Sequence, residues 1–248
     1  MKYFSLLACL LSILFSSTGY EIAQRMILRD APTDIKSKLI MTLEDKKGNT
    51  MQSEIQSYTK DRGKKQIIWF LNPPDNRGVS LYKIESKKGN DLMKMWLPAF
   101  KKIRKISSSK KSESFMGSDL TFEDLYNREL DDFSYSIDFS DDSTQYVLTS
   151  YPNEDIKSNY SKHVSWIDIE DLLIVKEESY NKSGSLFKLK EFKYVEIDGF
   201  NLVKEISVFD IKKDHKTMLK FEDIILNLGI EDNFFHEKNL RRIPMGAN

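Results

Sequence analysis

Residues 37–60 read SKLIMTLEDKKGNTMQSEIQSYTK, and their pattern indicates the fold class. One side of its first half carries Ser37, Leu39, Met41 and Leu43, which alternate with Lys38, Ile40, Thr42 and Glu44. A period of two is typical of a strand with one buried face. The run DKKGN at 45–49 then has the Gly and Asn of a tight turn, after which the strand pattern returns. We therefore predict an antiparallel hairpin.

The same strand pattern continues along the rest of the chain. It recurs at 64–71, 78–86, 92–97 and 100–108, and again several times between residues 132 and 226. The strands follow one another at roughly eight to twelve residues, which is typical of all-β sheets and barrels. We count about eleven strands and predict a mainly β (α+β) domain with a curved antiparallel sheet. Residues 20–32 have the spacing of one amphipathic helix that Pro32 stops.

Composition limits the partners of this domain. The 248 residues fit a single domain, and 40% of them are apolar, which is enough for a core. Lys plus Arg and Asp plus Glu both number 38, so the formal net charge is zero. A nucleic-acid-binding protein would carry a basic excess to neutralise phosphates. We therefore expect no nucleic-acid partner and only local electrostatic contacts. We also expect a monomer.

The N-terminus has the features of a secretory signal. Lys2 precedes the apolar run LLACLLSILF at 6–15, and Ser17 and Gly19 stand at the small-residue positions of a cleavage site. We expect cleavage after Gly19, so that 1–19 is a signal peptide and 20–248 is one exported, periplasmic domain. Cys9 lies in LLAC, which resembles a lipoprotein box, but the apolar run continues past it, so we expect no lipid anchor there.

Large flexible apolar side chains recur on one face of the predicted strands. The candidate cavity residues are Leu39, Met41, Leu43, Ile68, Phe70, Met93, Met95 and Leu97. Met is adaptable and suits a pocket whose ligand has no fixed shape. The same pattern also fits a plain packed β core, and the pattern alone leaves both interpretations open.

The sequence contains no recognisable catalytic or metal-binding motif. His163, His215 and His236 are far apart and have no ligand spacing, and no nucleophile or phosphate-loop motif is present. We therefore expect no metal, no cofactor and no enzyme activity. A hydrolase remains an alternative hypothesis, and it would require Asp119 or Glu123 to contact a histidine.

A basic run precedes the most acidic motif of the chain. It contains Lys101, Lys102, Arg104 and Lys105. Lysines of this kind protect an edge strand from pairing with another chain. They also suit a docking patch for anionic lipid head groups or an acidic partner surface. The sequence favours neither interpretation.

Residues 115–125 read FMGSDLTFEDL. Thr121 followed by Asp124 fits a helix start, in which the acidic side chain reaches back to the cap. Gly117 provides a joint that can adopt positive φ. We predict a hinge at Phe115, Met116 and Gly117, followed by a short helix whose Leu120, Phe122 and Leu125 cover the mouth of the sheet.

Three segments together resemble a known family. FLNPPDNRG has Phe70, Pro73, Arg77 and Gly78 at the positions of an F-x-x-P-x-x-x-R-G pattern. LMKMWLPAFKKIRKIS resembles W-L/Y-P-A-x-K-K-x-R-R-I, and SFMGSDLTFEDL resembles F-M-G-S-D-F-T-Y-E-D-L. These patterns are those of the outer membrane lipoprotein-sorting protein-like family, exported bacterial proteins related to LolA and LolB. Lys105 stands where the family pattern has Arg.

The resemblance implies a fold and a function. It implies an unclosed antiparallel β-barrel with a helical lid over an apolar cavity that shields acyl chains of lipids or lipoproteins between membranes. It also implies transient membrane contact and an inner-membrane transporter of the RND or MMPL type as a partner. Arg77 joins the basic run in the predicted docking patch. The alternative function is an envelope interaction or scaffold module that works with such an exporter without carrying lipid.

Overall fold

The computed structural model describes residues 18–86, 91–141 and 143–244. In this part of the chain, thirteen strands form one sheet in which every pairing is antiparallel. The strands are β1 Asp34–Glu44, β2 Thr50–Lys60, β3 Lys65–Asn72, β4 Ser80–Ile84, β5 Leu92–Leu97, β6 Lys102–Lys105, β7 Phe133–Phe139, β8 Gln145–Pro152, β9 Tyr160–Asp168, β10 Ile174–Asn181, β11 Leu186–Ile197, β12 Phe200–Asp210 and β13 His215–Leu226.

The predicted mainly β, unclosed sheet is confirmed, with two more strands than the predicted eleven. The hairpin at 37–60 is also confirmed, because β1 and β2 pair with Leu39 opposite Ile55. Its turn closes on the carboxylate of Asp45, which accepts hydrogen bonds from the backbone N–H of Lys47 at 2.8 Å and of Asn49 at 3.0 Å.

The order of the strands places two sequence neighbours at opposite edges of the sheet. The order is β6-β5-β4-β3-β2-β1-β13-β12-β11-β10-β9-β8-β7. Because β6 and β7 follow each other in the chain but form the two edges, residues 106–132 must cross from one edge to the other. We call these residues the lid segment. The topology therefore places the FMGSDLTFEDL motif against the sheet.

Strand β3 is buried on both faces, which explains its uninterrupted apolar sequence. Ile68 and Phe70 face the lid segment, whereas Ile67 and Trp69 face the chain after β13. That C-terminal part covers the outer face with Phe235 and Leu240 and accepts a hydrogen bond from Nε1 of Trp69 at the carbonyl of Leu240, 3.2 Å away. The second apolar face of β3 is therefore a packing surface for the C-terminus.

The predicted N-terminal helix is present as α1, Gly19–Leu28, but it ends at the non-helical Arg29, before the predicted stop at Pro32. In the uncleaved chain Thr18 caps it: its hydroxyl accepts from the N–H of Glu21 at 3.2 Å, and the Glu21 carboxylate accepts from the N–H of Thr18 at 2.8 Å. Ile22 and Ala23 pack against β8 and β9, near the β7 edge. The predicted signal core and Cys9 lie in residues 1–17, outside the described part. None of the helices described has the length and apolar character of a membrane span.

Candidate functional site

The predicted cavity residues and the predicted lid residues meet in one packed cluster. Leu39, Met41, Leu43, Ile68, Phe70, Met93 and Met95 are buried together with Phe115, Leu120 and Phe122, and Leu97, Met116 and Leu125 pack against them. The ring of Phe115 lies between those of Phe70 and Phe122, with centroids 6.0 and 5.9 Å away. The lid side chains thus fill the half of the sheet made by β1–β5. A ligand role for these residues stays a prediction that requires the lid segment to move.

A tight turn inserts these side chains into the sheet. Met116 and Gly117 both have positive φ, 52° and 79°, which favours glycine at the second position. The N–H of Phe115 donates to the carbonyl of Leu120 at 2.8 Å across this turn. The joint predicted at Gly117 is therefore a hairpin-like reversal in the structure.

The three carboxylates of the FMGSDLTFEDL motif each bind a different part of the molecule. Asp119 lies 2.7 Å from Nδ1 of His215 and accepts a hydrogen bond from Oγ1 of Thr217 at 2.7 Å; both residues are on β13. Glu123 accepts from Oγ of Ser158 at 2.5 Å, just before β9. Together with the contacts of Asp124, these contacts attach the lid segment to the sheet at three points.

Asp124 has the contact predicted for a helix start and a second, larger role. Its carboxylate accepts from the N–H of Thr121 at 2.8 Å, as predicted. The predicted short helix, however, is a single 3-10 turn, Glu123–Leu125. The backbone of Tyr126 is already extended, and the carbonyl of Leu125 accepts a hydrogen bond from Nζ of Lys83 at 2.6 Å.

Asp124 also enters a buried network of five ionised groups. Its two oxygens lie 2.7 Å from Nζ of Lys188 and 2.8 Å from Nζ of Lys190, both on β11. Lys190 lies 3.2 Å from Glu177 on β10, which is also paired with Arg128 of the lid segment. Cross-strand pairing explains part of this arrangement, because Glu177 lies opposite Lys190 in the β10–β11 register.

The pKa values follow from burial and from these pairings. Burial raises the pKa of the Asp124 carboxyl, but the charges of Lys190 and Lys188 outweigh it and hold that pKa well below its usual range. Burial likewise opposes ionisation of Glu177, and Arg128 and Lys190 hold the pKa of its carboxyl far below normal. Burial, aided by the nearby Arg128, lowers the pKa of His163 to about 3, so this ring is neutral at pH 7.

A cavity of about 340 Å³ lies next to this network, between α1, the lid segment and β7–β12. Its apolar lining comes from α1, from Leu120 and from strands of the second half of the sheet: Ala23, Met26, Ile27, Leu148, Ile174, Phe192 and Ile206. Asp124, Arg128, Glu177 and Lys190 line one side of it. A volume of this size is at the lower end of the range for ligand pockets.

A second, polar opening of about 530 Å³ adjoins the first cavity. Its lining includes Lys64, Glu85, Glu129, Asp131 and Asp132. Tyr126, Asn127 and Arg128 line both spaces and so mark their junction. The two spaces together have an apolar part, a charged junction and a polar mouth, which matches the polarity of an amphiphile.

The predicted docking patch lies at the other end of the sheet. Lys101, Lys102, Lys105 and Arg77 are exposed, and Arg104 forms an ion pair with Glu113. Because β6 is one edge strand and the cavity adjoins β7 and α1 near the opposite edge, the structure does not bring the patch and the cavity together. Its docking role remains a prediction.

The Asp119–His215 contact is the one that the hydrolase hypothesis requires. Within the described residues, the other ring nitrogen of His215 has no recorded hydrogen-bond partner, and the hydroxyl of Thr217 donates to Asp119. A hydrolase that uses this pair would also need a nucleophile within hydrogen-bond reach of His215. No group of His, Cys, Asp or Glu that could hold a metal ion is found in the described part of the chain.

The sequence analysis did not predict the buried ionic network. Lys188 and Lys190 alternate with Phe187 and Leu189, so the pattern favours an inward apolar row, yet both lysines are buried. One feature of the sequence could have predicted these two buried lysines. A lysine at every second position, opposite Glu177 in the preceding strand, predicts a cross-strand charge pair on one face.

Comparison with known proteins places this geometry among related structures. A protein-family model with the description "Uncharacterized protein" matches residues 62–242. A putative outer membrane lipoprotein-sorting protein domain from Vibrio parahaemolyticus has 27% identity and a TM-score of 0.84, over 90% of this chain and 98% of that one. A DUF1329 family protein from Desulfovibrio piger has 28% identity and a TM-score of 0.82, over 90% and 97% of the two chains. A LolA superfamily protein from Nitrosomonas europaea has 17% identity and a TM-score of 0.71, over 90% and 99%, and so shares the fold. No curated protein matches the chain.

Proposed function

Since the chain belongs to the outer membrane lipoprotein-sorting protein-like family of the LolA superfamily, we propose that it is a periplasmic carrier that binds an acyl chain of a lipid or lipoprotein. Its cavity shields the chain from water during transfer between envelope membranes or to and from a transporter of the RND or MMPL type. The proposal assigns it no catalysis and no cofactor. Residues 1–19 act as a cleaved signal peptide and 20–248 as the carrier domain.

The observation that carries this proposal is the apolar cavity between α1 and the second half of the sheet. Its lining residues Met26, Phe192 and Ile206 come from separate elements and converge on one space. Each methylene removed from water contributes about 0.8 kcal/mol, so one acyl chain binds well without specific polar contacts. The hydrophobic term is non-directional, so it tolerates cargo of different chain lengths.

The lid segment is the gate of this carrier. It fills the first half of the sheet with Phe115 and Phe122, and it borders the cavity with Leu120. Outward movement of the lid segment would join the cavity to the space lined by Met41 and Met93, which the sequence predicts as cavity residues. A membrane or partner that offers the chain an equivalent apolar environment then drives release by population shift.

Titration of delipidated protein with a fluorescent acyl probe tests the proposal. We expect saturable binding of one probe per protein. In Met26→Gln the side-chain length is kept but an amide faces the acyl chain, and we expect about fivefold weaker binding, from roughly 1 kcal/mol of lost apolar contact. Met51→Gln is the matched control, because Met51 is 49% exposed on β2 and remote from the cavity. Absence of saturable binding would exclude the carrier function.

A further inference from the structure

Arg128 occupies the junction between the apolar cavity and the polar opening. Its guanidinium has five N–H donors, and the described structure records one hydrogen bond from it, to Glu177. The side chain is 35% exposed, whereas that of Glu177 is 1% exposed. The guanidinium is therefore anchored on one side and has donors left for a ligand on the other.

The cavity side of this network presents unused hydrogen-bond donors. Three cations, Arg128, Lys188 and Lys190, meet two carboxylates, Asp124 and Glu177. A third buried carboxylate, that of Asp210, lies on the residue opposite Lys188 in the β11–β12 register, so Lys188 has an acid on either side. An anion at the cavity would therefore bind the spare donors of Arg128 and Lys190.

The oxygens of Asp124 already accept hydrogen bonds from within the protein. One oxygen of Asp124 accepts four hydrogen bonds, from the N–H and hydroxyl of Thr121, from Tyr160 and from Lys188. Its other oxygen accepts from Lys190. Lys190 itself has three donors and uses two of them, for Asp124 and Glu177.

Other acids near the junction are engaged elsewhere or stand further out. Glu123 points into the polar opening and accepts from Ser158 and Asn159. Glu85 and Glu129, which line the same opening, are paired with Lys83 and Lys64. Asp91, Asp131 and Asp132 line the polar opening and not the cavity, so their repulsion favours an anion at the inner end, beside Arg128.

We propose that the cargo is a single acyl chain with an anionic oxygen-containing head group, a carboxylate or a phosphate, which binds Arg128 and Lys190 while the chain lies in the cavity along α1. This inference rests on the proposed carrier function and specifies its ligand class. Arginine suits both head groups, because its planar fork matches the geometry of carboxylate and phosphate oxygens. The cavity volume of about 340 Å³ favours one chain over several.

A head-group series on the wild-type protein tests this proposal. Hexadecanoate, hexadecyl phosphate, hexadecanol and hexadecyltrimethylammonium, each below its micelle concentration, compete against a neutral fluorescent acyl probe. We expect the two anions to bind at least tenfold more tightly than the alcohol and the cation, since charge-assisted hydrogen bonds add to the apolar term. The stronger of the two anions identifies whether the head group is a carboxylate or a phosphate.

The outcomes separate this inference from the carrier function. Equal binding of the alcohol and the anions would overturn the head-group assignment and leave the carrier function standing. Absence of binding by all four would overturn both. Because this series uses the wild-type protein, it does not depend on whether a variant folds.

Substitutions at the junction then test whether the preference for anions arises from Arg128. In the double variant Arg128→Gln, Glu177→Gln, both charges of the pair are removed together, and we expect the anion preference to fall below about threefold. Arg128→Lys keeps the positive charge but loses the planar guanidinium, and we expect it to retain a reduced preference for anions. Lys193→Gln is the control, since Lys193 is a 72%-exposed cation paired with Glu205 on the surface. A preference that persists unchanged in the double variant would overturn the role of Arg128.

Discussion

The carboxylate of Asp124 in the lid segment lies 2.7 Å from the ammonium of Lys188 on β11, and both side chains are almost completely buried. Residues that are 64 positions apart thus join the lid to the sheet. A buried ion pair loses the hydration of both charges, which offsets much of its attraction. On opening, the charges regain water, so such a contact holds the lid in one register without making its release prohibitively costly.

Removal of one partner from this contact should destabilise the protein strongly. Asp124→Asn keeps the shape of the side chain but leaves Lys188 and Lys190 with less compensation, so we expect the free energy of unfolding to fall by about 3–5 kcal/mol. Urea denaturation measures it. The control Glu205→Gln breaks the exposed pair with Lys193 and should change stability by less than about 1 kcal/mol. Equal effects of the two variants would show that the buried pair does not hold the lid.

Acid should destabilise the fold through His163 before the carboxylates protonate. Burial lowers the pKa of this histidine from 6.5 to about 3, so the unfolded chain takes up the proton first. Stability is therefore greatest above pH 6.5 and falls as the pH decreases toward 3, by about 1.4 kcal/mol for each pH unit.

His163→Gln isolates this effect. We expect the dependence of the free energy of unfolding on pH, measured between pH 6.5 and 4.5, to become nearly flat. His236→Gln is the control, because His236 is exposed, and the slope should be unchanged. A slope that persists in His163→Gln would assign the acid sensitivity to other groups.

The C-terminal segment should contribute to the stability of the sheet. Leu240 is completely buried, and its carbonyl accepts hydrogen bonds from Trp69 and Ser80. In Leu240→Ala a cavity forms against β3 and β4, and we expect a loss of about 2–5 kcal/mol in urea denaturation. Leu186→Ala, at an exposed position on β11, should cost well under 1 kcal/mol. A small loss in Leu240→Ala would mean that the C-terminal segment packs only loosely.

The predicted docking patch at β6 should bind anionic membranes. Replacement of Lys101, Lys102 and Lys105 by Glu should weaken binding to phosphatidylglycerol vesicles roughly a hundredfold, since each lysine near such a surface contributes about 1 kcal/mol. Vesicle sedimentation at low salt measures it. A variant with Glu at Lys46, Lys47 and Lys182 has the same net charge on other surfaces and should bind like the wild type. Equal weakening in both would indicate that total charge matters and the patch does not.

Much of the fold could be predicted from local pattern, and the rest depends on contacts between distant residues. Alternation at 37–43 and the turn at 45–49 specify a hairpin without reference to anything else in the chain. Strand β3 carries Ile67, Ile68, Trp69 and Phe70 in sequence, and its two faces become distinguishable only once the C-terminal segment covers one of them.

The FMGSDLTFEDL motif shows that contacts of the site, too, are predictable only where they are local. Its helix-start signature correctly predicts that Asp124 contacts Thr121, a local contact. The pairing of Asp124 with Lys188 and Lys190 depends on the order of thirteen strands, and no short motif encodes that order. The apolar residues chosen for the cavity from alternation are those that the lid segment fills, whereas the cavity itself lies beside α1.

Photo-crosslinking with a diazirine-bearing fatty acid reports where the acyl chain lies in the protein. The purified protein is irradiated with one equivalent of probe, and the labelled peptides are identified by mass spectrometry. We predict labels on α1 at Met26 or Ile27 and on β8, β10 or β12, with unlabelled fatty acid abolishing them. Labels confined to the outer surface, or found only around Met41, Phe70 and Met93, would contradict the proposed position of the cargo.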